Sequence, residues 1–265
     1  MRLLICLLFL NGIMFGQDLA LKKTITNDSV YIDLINLLYA PVQAEYRALD
    51  SVKGQIKVLP KSILASRDTL KSIVVVPQNL VKDTAVIDLS QYAALEAQLG
   101  DPAKAVHDSF FPYALPYSKK KRIKIIQTFN GGFSHNEPTS KYAVDFATQI
   151  GDTIYAARDG VVVKTRDDFT EHGGREMIDA ANLVILLHDD GTFAHYLHLD
   201  YKGVLVAPGA QVKKGEAIGI SGWTGFSTLP HLHFAIIDAN NRSVPFYFEG
   251  YQGVILKKGK RYKHK

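Results

Sequence analysis

The chain has 265 residues, 47% hydrophobic and 22% charged, which suits one large globular domain or two small ones and excludes wholesale disorder. A single cysteine, Cys6, excludes an internal disulfide framework, and because it falls in an expected leader its removal also excludes thiol catalysis and zinc–cysteine sites, so any metal must be held by His and Asp or Glu. The net charge of +5 is largely local, in the runs 118–124 and 257–265, and no nucleic-acid motif accompanies it, so nucleic acid is not an expected partner.

In chain order, residues 1–16 (MRLLICLLFLNGIMFG) show the arginine, short apolar run and small residues of a signal peptide, with cleavage after Gly16 or Ala20. The run is too short to span a bilayer comfortably, and no later run is long enough. The expectation is an exported protein, periplasmic or extracellular in the cell envelope, with no transmembrane segment and no cysteine once the leader is removed. Residues 24–112 carry alternating apolar runs (SVYIDLINLL, VQAEYRAL, SIVVVP, TAVIDLSQY) between turn-prone segments, the pattern of a small β-sandwich. ALEAQLGDPAKAVHD is the least strand-like part. Residues 113–122, with two prolines close by or within, read as a linker.

Residues 123–256 are rich in short strands: RIKIIQTF, YAVDFA, TIYAA, GVVVKTR, NLVILLH, TFAHYLHL, EAIGISG and HLHFAII. Glycine-containing turns separate them, and no long amphipathic helix intervenes, so this half is predicted to be an antiparallel all-β fold. The overall class is mainly β. The tail 257–265 reads as a solvated basic terminus, or as a surface drawn to an anionic polymer of the cell envelope.

Chemistry concentrates where His and Asp project from these strands. In LPHLHFAI (229–236) alternate side chains share a face, so His231 and His233 emerge together while Leu232 and Phe234 face the core. FSHNEPTSKYAVDFA contributes His135 and Asp145, NLVILLHDDG contributes Asn182 and His188, and HYLHLD contributes His195 and His198. His195 and His198, three residues apart, would point to opposite faces of a strand. His188 ends a strand as a structural or supporting residue. Asn182 orients a loop or touches substrate, and His172 is a solvated loop residue or a substrate contact. The loops FNGGF and GWTGFS could wall a groove, with Trp223 flanking it or buried in the core.

These blocks, in this order and above all GWTGFSTLPHLHF, resemble the lysostaphin/LytM-type zinc endopeptidase domain over about residues 123–240. Residues 24–112 more weakly resemble the immunoglobulin-like domain that precedes it in some exported relatives. The resemblance implies one zinc ion held by His135, Asp145 and His233, with His198 and His231 catalytic. It implies hydrolysis of peptide bonds in peptidoglycan stem peptides or cross-links by a zinc-activated water, the two histidines moving protons or one of them stabilising an oxyanion. One departure stands out: His135 stands ten positions before Asp145, where the common pattern has four.

Three rivals fit less. The alternative is a catalytically silent or autoinhibited relative acting as a cell-wall binding module or hydrolase activator, but degenerate silent forms would lack one or more of the five residues, and all five are present. VAPGAQVKKGEAIGISG is similar to a lipoyl-type carrier hairpin, but Lys213 and Lys214 lack its exposed-turn setting. Neither H-E-x-x-H nor G-x-S-x-G occurs.

Overall fold

The structure, a computed structural model, describes residues 18–81 and 89–265. The expected leader 1–16, with Cys6, and residues 84–88 of the expected strand TAVIDLSQY lie outside the described residues. The chain divides into two compact units between Asp101 and Pro102.

The first unit contains β1 (Leu19–Ile25), β2 (Ser29–Asn36), β3 (Val42–Ala48), β4 (Lys57–Val58), β5 (Ser62–Leu64), β6 (Thr69–Pro77) and β7 (Ala93–Leu99). They form two antiparallel sheets, ordered β1-β2-β6-β4 and β5-β3-β7. The strand β7 corrects the expectation for ALEAQLG. Its Ala, Glu, Gln and Leu favour helix as isolated residues, yet Ala93, Leu95 and Ala97 are buried and Glu96 is exposed. That two-residue alternation pairs the segment with β3 over its whole length, and the tertiary pairing overrides local propensity.

The second unit contains β8 (Pro112–Tyr113), β9 (Ile123–Gln127), β10 (Val144–Phe146), β11 (Thr153–Tyr155), β12 (Gly160–Arg166), β13 (His172–Gly173), β14 (Leu183–Leu187), β15 (Phe193–Leu197), β16 (Leu199–Val204), β17 (Gln211–Val212), β18 (Ala217–Ser221), β19 (Gly225–Phe226), β20 (Leu232–Ile237), β21 (Tyr247–Phe248) and β22 (Arg261–Tyr262). Every strand expected in this half is present. Eight strands make one antiparallel sheet in the order β17-β12-β14-β15-β20-β10-β9-β22. Its core face carries Ile125, Val144, Phe146, Val184, Tyr196, Phe234 and Ile236, all 1% exposed or less. Residues of the opposite parity face the other way, and the candidate site stands on that face.

Two boundaries differ from expectation. Residues 102–122, including the expected linker 113–122, belong to the second unit. Tyr113, Leu115 and Tyr117 are at most 2% exposed and sit in its hydrophobic core. Pro112 and Pro116, flanking this run and within it, impose extended backbone rather than a break, and β8 pairs with β21. The expected free tail is also tied down. Arg261 pairs with Lys124 and Tyr262 with Ile123, the Tyr117 hydroxyl donates to the Tyr262 carbonyl at 2.8 Å, and His264 Nε2 donates to the Tyr117 carbonyl at 2.8 Å. Tyr262, its ring edge-on to Tyr251 at 5.2 Å, anchors a run whose cations stay exposed.

Ending the chain at Leu256 is therefore expected to lower the stability of the second unit by about 2–4 kcal/mol, from the lost Tyr262 packing and strand pairing. Urea unfolding checks this; a change below about 0.5 kcal/mol would mark a merely solvated tail.

Candidate metal centre

The site begins with strand register. Asp145 on β10 stands directly opposite His233 on β20, and Gln127 on β9 stands opposite Asp145. The three side chains therefore share one row of the sheet, with Cβ atoms within about 5.5 Å of their neighbours. The intervening residues Val144, Phe146, Leu232 and Phe234 fill the core.

His135 comes from the loop between β9 and β10. The Asn130 N–H donates to the Lys141 carbonyl at 2.7 Å, closing the ends of that loop. Within it, the Ser140 hydroxyl donates to the Ser134 carbonyl at 2.6 Å, and Ser140 and Lys141 both donate to Glu137 through their N–H groups. Ser243, next to β20, donates to Pro138 through its N–H and its hydroxyl. The additional residues between His135 and Asp145 thus form a self-bonded turn pinned at its far side, and His135 returns to the sheet fully buried.

The three ligand atoms His135 Nε2, Asp145 Oδ1 and His233 Nδ1 converge. His135 Nε2 lies 3.1 Å and His233 Nδ1 2.9 Å from Asp145 Oδ1, and one atom from each residue falls within 4.8 Å of the others. His135 Nδ1 lies 2.9 Å from the Thr128 carbonyl, which can only accept, so the ring proton sits there. Nε2 then turns a lone pair toward a carboxylate oxygen. Two acceptors at that distance repel unless a proton or a cation lies between them. This donor set, two imidazoles and a carboxylate with no thiolate, fits zinc with a position left for water or substrate. Gln127 Nε2 donates to Asp145 Oδ2 at 3.1 Å and to Ser134 Oγ at 2.7 Å, orienting the carboxylate and the His135 loop together. Sequence reasoning missed Gln127. By alternation it belongs with Ile123 and Ile125 on the core face, and the register shift between Asp145 and Phe146 sets it opposite Asp145; the only sequence signal is a polar residue at a core parity.

The structure brings the other two histidines alongside. His198 follows the last residue of β15 with φ +66°, a left-handed conformation uncommon for a residue with a side chain. This turn brings its ring within 4.5 Å of the His231 ring and 6.1 Å of the His233 ring, centroid to centroid. The expected opposition of His195 and His198 holds only for a regular strand. Because Leu197 pairs with His233, His195 shares their face, and the backbone twist delivers His198 to the same side. His198 Nδ1 donates to the Thr224 carbonyl at 2.6 Å and His231 Nδ1 to the Leu229 carbonyl at 2.8 Å. Each ring therefore presents Nε2 as its free acceptor. His231 Nε2 lies 3.8 Å from Asp145 Oδ1.

Burial works against ionisation of Asp145, but the neighbouring His231 and the close ring nitrogens of His135 and His233 outweigh it, holding the carboxyl well below its usual range. Burial, aided by His231 and His233, pushes His198 well down, and burial lowers His233 against the pull of Asp145. His195 is pushed down to about 3 by burial and the neighbouring His233. These rings stay neutral, the state in which imidazole binds metal.

Two further residues stand apart from this cluster. Asn182 is fully buried, its amide spent on the Phe169 N–H and carbonyl and on the Asp200 carbonyl, so it braces loops. His188 donates from Nδ1 to the Asp159 carbonyl at 2.7 Å, packs near Tyr113 and leaves Nε2 buried without a partner. Around the cluster, Trp223 is half-buried and stacks on exposed His172 at 3.4 Å, and Phe133 stacks on Phe226 at 5.9 Å. The strand β13 pairs with β19 here, and at Gly225 (φ +74°) a Cβ would lie 2.6 Å from the Ala181 nitrogen, so the two loops meet only over glycine.

A match to the model for Peptidase family M23 spans residues 139–245, which include Asp145, His198, His231 and His233. The chain carries an M23 peptidase domain. His135 lies just ahead of the matched stretch, on the loop whose length departs from the common pattern. The M23 domain is 41% identical over 93 residues to the peptidoglycan DD-endopeptidase ShyA of Vibrio cholerae, covering 35% of this chain and 19% of that protein. It is 40% identical over 94 residues to the glycyl-glycine endopeptidase ALE-1 of Staphylococcus capitis, covering 35% of this chain and 23% of that protein. The solved catalytic domain of lysostaphin from Staphylococcus simulans is similar at 29% identity, covering 49% of this chain and 94% of that one, with a TM-score of 0.36. The matched stretches span 19%, 30% and 34% of the first three curated relatives' own lengths.

Burial lowers the His188 pKa from 6.5 to about 4. Between those values the unfolded chain binds a proton that the folded chain does not. Stability present at neutral pH is therefore lost as pH falls from 6.5 to about 4, at up to about 1.4 kcal/mol per pH unit. In urea unfolding across this window, His188→Asn is expected to flatten the decline by up to one proton's slope. An unchanged slope would contradict the assignment.

Proposed function

We propose that this chain is an exported zinc-dependent metalloendopeptidase that hydrolyses peptide bonds in peptidoglycan stem peptides or cross-links. The observation that carries the reading is the convergence of His135 Nε2, Asp145 Oδ1 and His233 Nδ1 on one point beside two further histidines. The named activities, peptidoglycan DD-endopeptidase for ShyA and glycyl-glycine endopeptidase for ALE-1, support an endopeptidase reaction while differing in the bond cut. The leader-like residues 1–16 support export, and the two antiparallel sheets of the first unit support an immunoglobulin-like reading of it.

In this reading His135, Asp145 and His233 hold one zinc ion. Bound there, zinc supplies a Lewis acid that activates water at neutral pH and polarises a carbonyl. Gln127 and the Thr128 carbonyl fix the carboxylate and the His135 ring, so the ligands are set before metal arrives. His198 and His231, each with Nδ1 tied to a carbonyl, offer Nε2 to take a proton at the reacting centre and return it to the leaving amine. Protonated, either ring also donates to a developing oxyanion. The half-buried walls at Trp223 and Phe226 border the approach of an extended peptide.

The test pairs zinc content with digestion of purified peptidoglycan. Wild type is expected to carry about one zinc and release muropeptides. His233→Ala should lose both metal and activity, and His231→Ala should keep the metal while activity falls about 100-fold or more. Gln127→Leu should bind zinc about 10- to 100-fold more weakly. A wild type that binds zinc and cuts nothing would favour a silent wall-binding relative; His231→Ala cutting as well as wild type would remove its catalytic role.

A further inference from the structure

The two basic runs, distant in sequence, lie side by side because β22 pairs with β9. Residues 119–124 hold five cations and residues 257–265 hold six, with no Asp or Glu in either run. All of these cations are exposed. Lys121 pairs with Asp152; among the described residues the others have no carboxylate partner. Arg261 even stands directly opposite Lys124 across the strand pair. Like charges facing each other on neighbouring strands repel, and without internal counter-charges the edge is a strong attractor for an external polyanion.

A second feature narrows the choice of anion. The turn leading into the tail exposes Val254 and Ile255, 47% and 48% accessible, between buried Leu256 and half-buried Tyr251. Lys257 and Lys258 follow them in sequence, and Lys265 returns to the same turn, its Nζ donating to the Gly250 carbonyl at 2.6 Å. The apolar pair is thus followed directly by two lysines, with a third anchored at the start of the same turn. A soluble polyanion would use the cations and leave Val254 and Ile255 in water. A lipid surface uses both, phosphate headgroups meeting the lysines and the acyl boundary taking the apolar side chains.

We propose that this edge docks on an anionic lipid bilayer, with Val254 and Ile255 entering its interface. Its contact strand β9 runs from Ile123, beside the tail, to Gln127, beside the histidine cluster. Four residues of strand span about 13 Å, so docking would hold the cluster close to the membrane surface. The proposal does not depend on the peptidase reading, because it concerns binding alone.

Co-sedimentation of the full chain with vesicles tests it. One set contains about 30% phosphatidylglycerol in phosphatidylcholine and the other phosphatidylcholine only. The first 16 residues, common to all variants, cannot create a difference between variants. Wild type is expected to bind the anionic vesicles at least about tenfold more tightly, with the preference largely lost at about 0.5 M salt. Val254→Ser with Ile255→Ser should weaken binding about tenfold, and Lys257→Glu with Lys258→Glu at least as much. Lys119→Glu with Lys120→Glu, from the other run, should weaken it too. Equal binding to both vesicle types would overturn the proposal. So would full retention of anionic-vesicle binding by the Val254, Ile255 variant together with complete competition by soluble poly(glycerol phosphate), the behaviour of a plain polyanion site.

Discussion

Asp145 is a carboxylate at 5% exposure in the middle of an eight-stranded sheet, and much of the second unit is arranged around keeping it ionised. A buried anion needs partners for its lone pairs, or a neighbouring charge, to offset lost hydration. Gln127 supplies a donor to one oxygen, and three histidines crowd the other. With His135 oriented as a donor away from the carboxylate, the most economical occupant of the gap between these groups is a cation. The site is therefore built for metal by the same requirement that makes Asp145 tolerable in the fold.

Strand register turns this local requirement into architecture. Because Asp145 faces His233, the adjacent residues of β10 and β20 must face the core, and they do, as Phe146, Phe234 and Leu232, while a register shift against β9 sets Gln127 beside Asp145. The loops then complete the cluster from outside the sheet. The turn at 130–141 brings in His135, and the left-handed residue at the end of β15 brings in His198. Strain of this kind, about 1–3 kcal/mol, collects at functional sites because the surroundings hold it in place. Here the holding contacts are the Thr224 carbonyl and the packing of His231.

The parts legible in the sequence were those governed by two-residue alternation. His231 and His233 share a face for that reason alone, and each expected strand of residues 123–237 has a counterpart. Alternation failed where composition pointed elsewhere. The helix-favouring residues of β7 hid a strand that β3 imposes, and the prolines at 112 and 116 disguised a buried extended segment as a linker. The tail read as solvent-exposed because nine residues held six cations, yet one aromatic residue, Tyr262, was enough to pair it with β9. The role of Gln127 and the reorientation of His198 depend on one hydrogen bond and one dihedral angle, which no spacing rule encodes.

The most direct measurement is an anomalous difference map at the zinc absorption edge, from crystals of the chain grown with zinc. The account predicts one strong peak about 2.0–2.2 Å from His135 Nε2, an Asp145 oxygen and His233 Nδ1. His198 and His231 would lie outside its ligand set. A map with no peak there, or with the ion held by His198 or His231 in place of His135, would contradict the assignment of Asp145 and its two partner histidines as the metal centre.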